Sequence, residues 1–72
     1  MSDYQLTNDE KATVITTHLR SLSYSKYNTE LSIIEEESLE APSSESLAQL
    51  NSQLDSINTK IAALEEELTK VS

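Results

Sequence analysis

From Leu47 to Val71 an aliphatic residue returns at alternating steps of three and four: Leu47, Leu50, Leu54, Ile57, Ile61, Leu64, Leu68 and Val71. This unbroken a/d stripe keeps one face of an α-helix turned toward a partner helix and predicts left-handed helix packing. Upstream the stripe is less regular. It reads Ala12, Ile15, Leu19, Leu22, Tyr27, Leu31, Ile34, with a step of five across Ser21-Leu22-Ser23-Tyr24-Ser25. Alone, that alternating stretch fits a short strand, but helical signals flank it on both sides and no second strand exists to pair with it.

Local punctuation divides the chain into two helices. Thr7-Asn8-Asp9-Glu10 matches a capping box, in which the Thr7 hydroxyl accepts from the Glu10 amide and the Glu10 carboxylate reaches back. Asp9 and Glu10 also suit the positive end of the helix dipole. Pro42 disfavours helix at Ala41 and donates no backbone hydrogen bond. Ser43 or Ser44 then offers a new N-cap, with Glu45 in the first turn. The expected helices span about 7–40 and 44–71, and residues 1–72 form one domain.

Reversal at Pro42 puts the two stripes face to face. In an antiparallel pair, facing residues have position numbers of near-constant total. Ile34 then meets Leu50, Leu31 meets Leu54, and Tyr27 meets Ile57. Leu22 meets Ile61, Leu19 meets Leu64, Ile15 meets Leu68 and Ala12 meets Val71. The fold class is therefore all-α, an antiparallel two-helix hairpin. Two helices alone do not enclose a core, so the hairpin is expected to self-associate into a helical bundle or coiled coil. Residues off the seam carry that expectation: Tyr24, Ile33 and Leu39 as interaction residues, with Val14, Ala48, Ala62 and Ala63 beside them.

Composition strengthens this picture by exclusion. The 72 residues include no glycine and one proline, too few turn formers for a sheet. No cysteine is present, which removes disulfides, thiolate metal sites and cysteine nucleophiles. So small a core needs reinforcement, and oligomerisation is what remains. A homo-oligomer, with a dimer favoured, is the expected state. Thirteen acidic and five basic residues give a net charge of -8, which opposes binding to nucleic acid or anionic membranes. Apolar runs such as Val14-Ile15, Ile33-Ile34 and the longest, Ile61-Ala62-Ala63-Leu64, are too short to span a membrane. Met1-Ser2-Asp3-Tyr4-Gln5 does not read as a secretory signal, so a soluble cytoplasmic protein is expected.

Candidate chemistry is sparse. Glu35-Glu36-Glu37 with Glu40 could hold a divalent cation or imitate nucleic-acid phosphates. Consecutive glutamates point in different directions on a helix, which favours a solvated face. In Glu65-Glu66-Glu67, Glu66 and Lys70 have the favourable i, i+4 order, and Lys60 is expected to pair with a nearby acid. His18 lacks a nucleophile, a carboxylate orienter or a metal partner, so a boundary or surface role is favoured over catalysis. No glycine-rich loop cradles a phosphate. Tyr24 and Tyr27 around Lys26 could stack on bases or a peptide. Packing is the favoured reading, with Tyr27 filling the five-residue step and Tyr24 capping an oligomer contact. No enzyme activity and no cofactor or metal are expected.

Leu6-Thr7-Asn8-Asp9-Glu10-Lys11, Tyr24-Ser25-Lys26-Tyr27-Asn28 and the acidic stretch after Ile33-Ile34 resemble small helical proteins encoded by marine tailed phages. The resemblance spans most of the chain, implies a phage-like origin and carries no activity. The expected function is a non-enzymatic structural, assembly or protein–protein interaction role. The alternative is an acidic inhibitor or decoy that binds a basic host protein through its glutamate clusters.

Overall fold

A computed structural model of the protein describes residues 4–72. Met1–Asp3, on which the leader reading partly rests, lie outside the described residues. Two helices follow in order, α1 (Asn8–Glu37) and α2 (Ser44–Val71). They lie side by side as an all-α hairpin with principal extents of 61 × 18 × 14 Å. The serine-rich middle of α1 is continuous helix, as the flanking signals require.

Both helix starts follow the sequence. The Thr7 amide donates to Glu10 Oε1 at 2.8 Å, and the Glu10 amide donates to Thr7 Oγ1 at 3.1 Å, completing the capping box. The N-cap of α2 is Ser43, whose Oγ accepts from the Ser46 amide at 3.1 Å. Several threonines inside the helices return their hydroxyls to the preceding turn. Thr16, for example, donates to the Ala12 carbonyl at 2.8 Å.

The end of α1 differs from the expected position near residue 40, falling at Glu37. Ser38 is the C-cap. Its Oγ donates to the Glu35 carbonyl at 2.7 Å, and its amide reaches back to the Ile34 carbonyl at 3.0 Å. Leu39 then donates to Glu36 O at 3.2 Å, closing a tight last turn. Glu36 Oε2 accepts from the Ser43 amide at 2.9 Å, so a side chain of α1 ties down the cap of α2. No described residue has positive φ. Serine hydroxyls and one glutamate do here what a left-handed glycine does in many helix ends.

The seam of α2 is as expected. Leu47, Leu50, Leu54, Ile57, Ile61, Leu64, Leu68 and Val71 are half-buried, and the outer-face residues are exposed. The seam of α1 is not. Its protected positions include Ala12, Ile15, Leu19, Leu22, Lys26, Thr29, Ile33 and Glu36, at steps of three and four, with Glu30 and Ser32 half-buried beside them. Two grooves between the helices fix the register. One joins Leu22, Ser25 and Thr29 to Gln53, Ser56, Ile57 and Lys60. The other joins Ser32, Glu35, Glu36 and Leu39 to Ser46, Gln49 and Leu50.

This register pairs Ala12 with Val71, Ile15 with Leu68, Leu19 with Leu64 and Leu22 with Ile61, as the sequence predicts. It continues without drift through Lys26 with Ile57, Thr29 with Leu54, Ile33 with Leu50 and Glu36 with Leu47. The expected pairings of Tyr27 with Ile57, Leu31 with Leu54 and Ile34 with Leu50 are therefore corrected. Steric regularity explains the difference. A seam between two straight helices cannot jump a step of five without turning to another face, so the backbone period decides and polar residues fill the slots. Thr29 is the most protected described residue, and its hydroxyl is satisfied by the Ser25 carbonyl at 2.9 Å. Lys26 is half-buried at its seam position, where a long aliphatic stem suits the apolar surroundings.

Candidate interaction surface

Because the α1 seam turns away from Tyr27, the apolar residues of its second half form a separate stripe. Tyr24 is 67% exposed, Tyr27 62%, Leu31 37% and Ile34 60%. Their spacing is three, four, three, which is one continuous line on a helix. At about 100° per residue, that line lies about 140–160° around α1 from Thr29, on the side away from α2. Over this stretch α1 thus carries an apolar stripe on its outer side and a largely polar seam, while the leucines and isoleucines of α2 lie on the seam alone.

The upstream end of the stripe is concave. Arg20, Ser23, Tyr24 and Tyr27 line a shallow groove of about 260 Å³ on the outside of α1. These four residues stand at i, i+3, i+4 and i+7, the diamond on a helix surface that receives one side chain from a packed partner helix. The small Ser23 beside the two exposed tyrosines leaves room for this groove.

The residues expected to interact are now separated. Tyr24 belongs to the outward stripe. Leu39, 54% exposed, sits beyond the end of α1 at the rim of the groove near the turn. Ile33 is half-buried on the hairpin seam, and Ile34 takes the exposed position beside it. Val14, Ala48, Ala62 and Ala63 are exposed, as expected of off-seam residues. Sequence reasoning missed Tyr27, Leu31 and Ile34 as surface residues because it followed hydrophobicity instead of period. The signal was present, since extending the heptad from Leu22 leads to Lys26, Thr29, Ile33 and Glu36.

The other clusters resolve into smaller parts. Glu36 is half-buried and holds the Ser43 amide, whereas Glu35, Glu37 and Glu40 are exposed. Lys70 pairs with Glu67 at 3.6 Å, one residue away from the expected Glu66. Lys26 is half-buried on the seam and Tyr24 and Tyr27 are exposed, so the cation does not join the rings in a stacking platform. His18 is exposed. Among the described residues, no group of three histidine or acidic side chains is placed to hold a metal ion. Among the same residues, no helix is long and apolar enough to cross a membrane. The chain matches no family model, no curated protein and no solved structure.

Proposed function

We propose that this chain is a non-enzymatic helical assembly protein that acts through its helix surfaces and self-associates, with a dimer as the favoured state. One observation carries the reading. No apolar side chain is buried among the described residues, while Tyr24, Tyr27, Ile34 and Leu39 stand more than half exposed. Each added copy removes such surface from water at about 25 cal/mol per Å². A chain of this size without disulfides has few other sources of stability. The resemblance to small phage proteins adds an origin to this proposal and no activity.

Sedimentation equilibrium from one to several hundred micromolar, with thermal melts at the same concentrations, tests it. A dimer whose melting temperature rises with concentration is expected, because assembly stabilises the folded chain by mass action. A monomer with a concentration-independent melt overturns it.

A second reading, an acidic decoy for a basic protein, draws on the net charge of -8 and on exposed Glu35, Glu37, Glu40, Glu65, Glu66 and Glu67. It predicts capture of basic proteins that fades as salt screens the charges. The engagement of Glu36 at the turn breaks the densest acidic cluster and favours the assembly reading.

A further inference from the structure

We infer that the outward stripe of α1 is the docking site for the same stripe of a second copy, in an antiparallel pairing centred near Thr29. This inference rests on the self-association proposed above and specifies its face, direction and register.

The stripe is self-complementary. Turned end for end, Tyr24 meets the partner's Ile34 and Tyr27 meets the partner's Leu31, each pair having the same total of position numbers. A two-fold dimer needs such a self-complementary patch, because each surface must fit its own copy. The groove gives the match a shape. The centre of the Arg20, Ser23, Tyr24, Tyr27 diamond falls opposite the partner's Ile34 in this register. Ile34 is 60% exposed and branched, a suitable knob for that hole, and the two-fold makes the insertion reciprocal.

Charge selects the direction. The N-terminal half of α1 carries Asp9 and Glu10 against Lys11 and Arg20 and is near neutral, whereas its C-terminal end exposes Glu35 and Glu37. Antiparallel pairing brings Arg20 beside the partner's Glu35 and the partner's Glu37. Parallel pairing stacks the two acidic ends against each other. Glu30 and its counterpart flank the axis, a repulsion that salt screens and that holds the affinity below what apolar area alone implies.

The area suffices. Each tyrosine can bury about 150–250 Å². With exposures of 67% and 62%, and Ile34 at 60%, the stripes of two copies and their rims offer on the order of 1,000 Å². That reaches the lower limit for a specific interface.

The full chain tests this directly. It has no cysteine, so a spin label introduced through Asn28→Cys or His18→Cys reports only distances between copies. At concentrations where sedimentation gives dimers, the label at 28 should lie within about 20 Å of its counterpart. The label at 18 should lie about 30–35 Å from its own, being roughly eleven residues from the axis at about 1.5 Å each. Two short distances mean parallel pairing and two long ones mean another face, and either overturns the inference. Tyr27→Glu enters the interface twice and should weaken the dimer by at least about 100-fold, with helicity retained. Leu39→Glu, outside the stripe, should change it less than about threefold. A dimer that tolerates Tyr27→Glu overturns the face assigned here and leaves self-association standing. A wild-type chain that is monomeric at several hundred micromolar removes self-association itself.

Discussion

Helices α1 and α2 are nearly equal in length, at 30 and 28 residues, yet they use their apolar residues differently. In α2 every leucine and isoleucine, together with Val71, is half-buried on one face. In α1 the apolar residues, Val14 apart, follow that pattern only as far as Leu22. Beyond it they divide, with Ile33 on the seam and Tyr24, Tyr27, Leu31 and Ile34 outside. Polar Lys26, Thr29 and Glu36 occupy seam positions that aliphatic residues could have filled. The contrast separates two properties that coincide in α2. Backbone period decides which residues face the neighbouring helix, and side-chain character decides how much each face gains by being covered. Where the two diverge, the hairpin loses stability and an outer surface gains apolar area. The second half of α1 carries most of its apolar residues outside the seam, whereas α2 keeps its leucines and isoleucines on it.

The largest effects should come from breaking the shared seam. Leu54→Ala and Ile61→Ala should each destabilise the hairpin by about 1–3 kcal/mol. This is the lower part of the range for large-to-small substitutions, because both sites are half-buried. Asp55→Ala, on the exposed side, should lie within about 0.5 kcal/mol of wild type. Urea midpoints measured where the chain is monomeric give these differences. Equal costs at Leu54 and Asp55 would dissolve the contrast at its source.

A smaller effect of opposite sign should follow when α1 is made to resemble α2. Lys26→Leu places an aliphatic side chain opposite Ile57 and should stabilise the monomeric hairpin by about 0.5–1 kcal/mol. The gain is limited because Lys26 is already half-buried at its seam position, and because removing a cation raises the magnitude of a net charge already at -8. The urea midpoint should therefore rise. A fall would mean that the Lys26 ammonium is held by a partner whose loss outweighs the apolar gain.

Much of this fold is written in local chemistry. The Thr7–Glu10 capping box, the Ser43 cap, the break around Pro42 and the α2 heptads are each readable from short windows of sequence. Antiparallel pairing follows from matching the stripes, and the α1 positions chosen from Ala12 to Leu22 are half-buried. The register fails after Leu22 because a pattern search rewards apolar residues, and the seam there contains a lysine, a threonine and a glutamate. Only the rigidity of the helix distinguishes Ile33 from its neighbour Ile34. The end of α1 at Glu37, where the Ser38 hydroxyl reaches the Glu35 carbonyl, is not announced by a serine at this position. The outward stripe could be seen only once the true seam had claimed the opposite face.

The smallest effect is the sharpest test of the division between faces. Tyr27→Ser should leave the monomeric hairpin within about 0.5 kcal/mol of wild type, and so should Ile34→Ser. Tyrosine, isoleucine and serine have nearly equal helix propensities, so these substitutions report packing with little backbone contribution. Each deletes a large apolar side chain that is about 60% exposed and turned from α2. If α1 instead used the irregular stripe, Tyr27 would pack on Ile57 and Ile34 on Leu50. The same substitutions would then cost about as much as Leu54→Ala. Melts must be run in the dilute regime, since an assembled chain adds the loss of intermolecular packing to the measurement. Stability unchanged in dilute solution, with a loss that appears only as concentration rises, assigns these side chains to a surface outside the hairpin. A cost above about 1 kcal/mol in the monomer returns them to the seam.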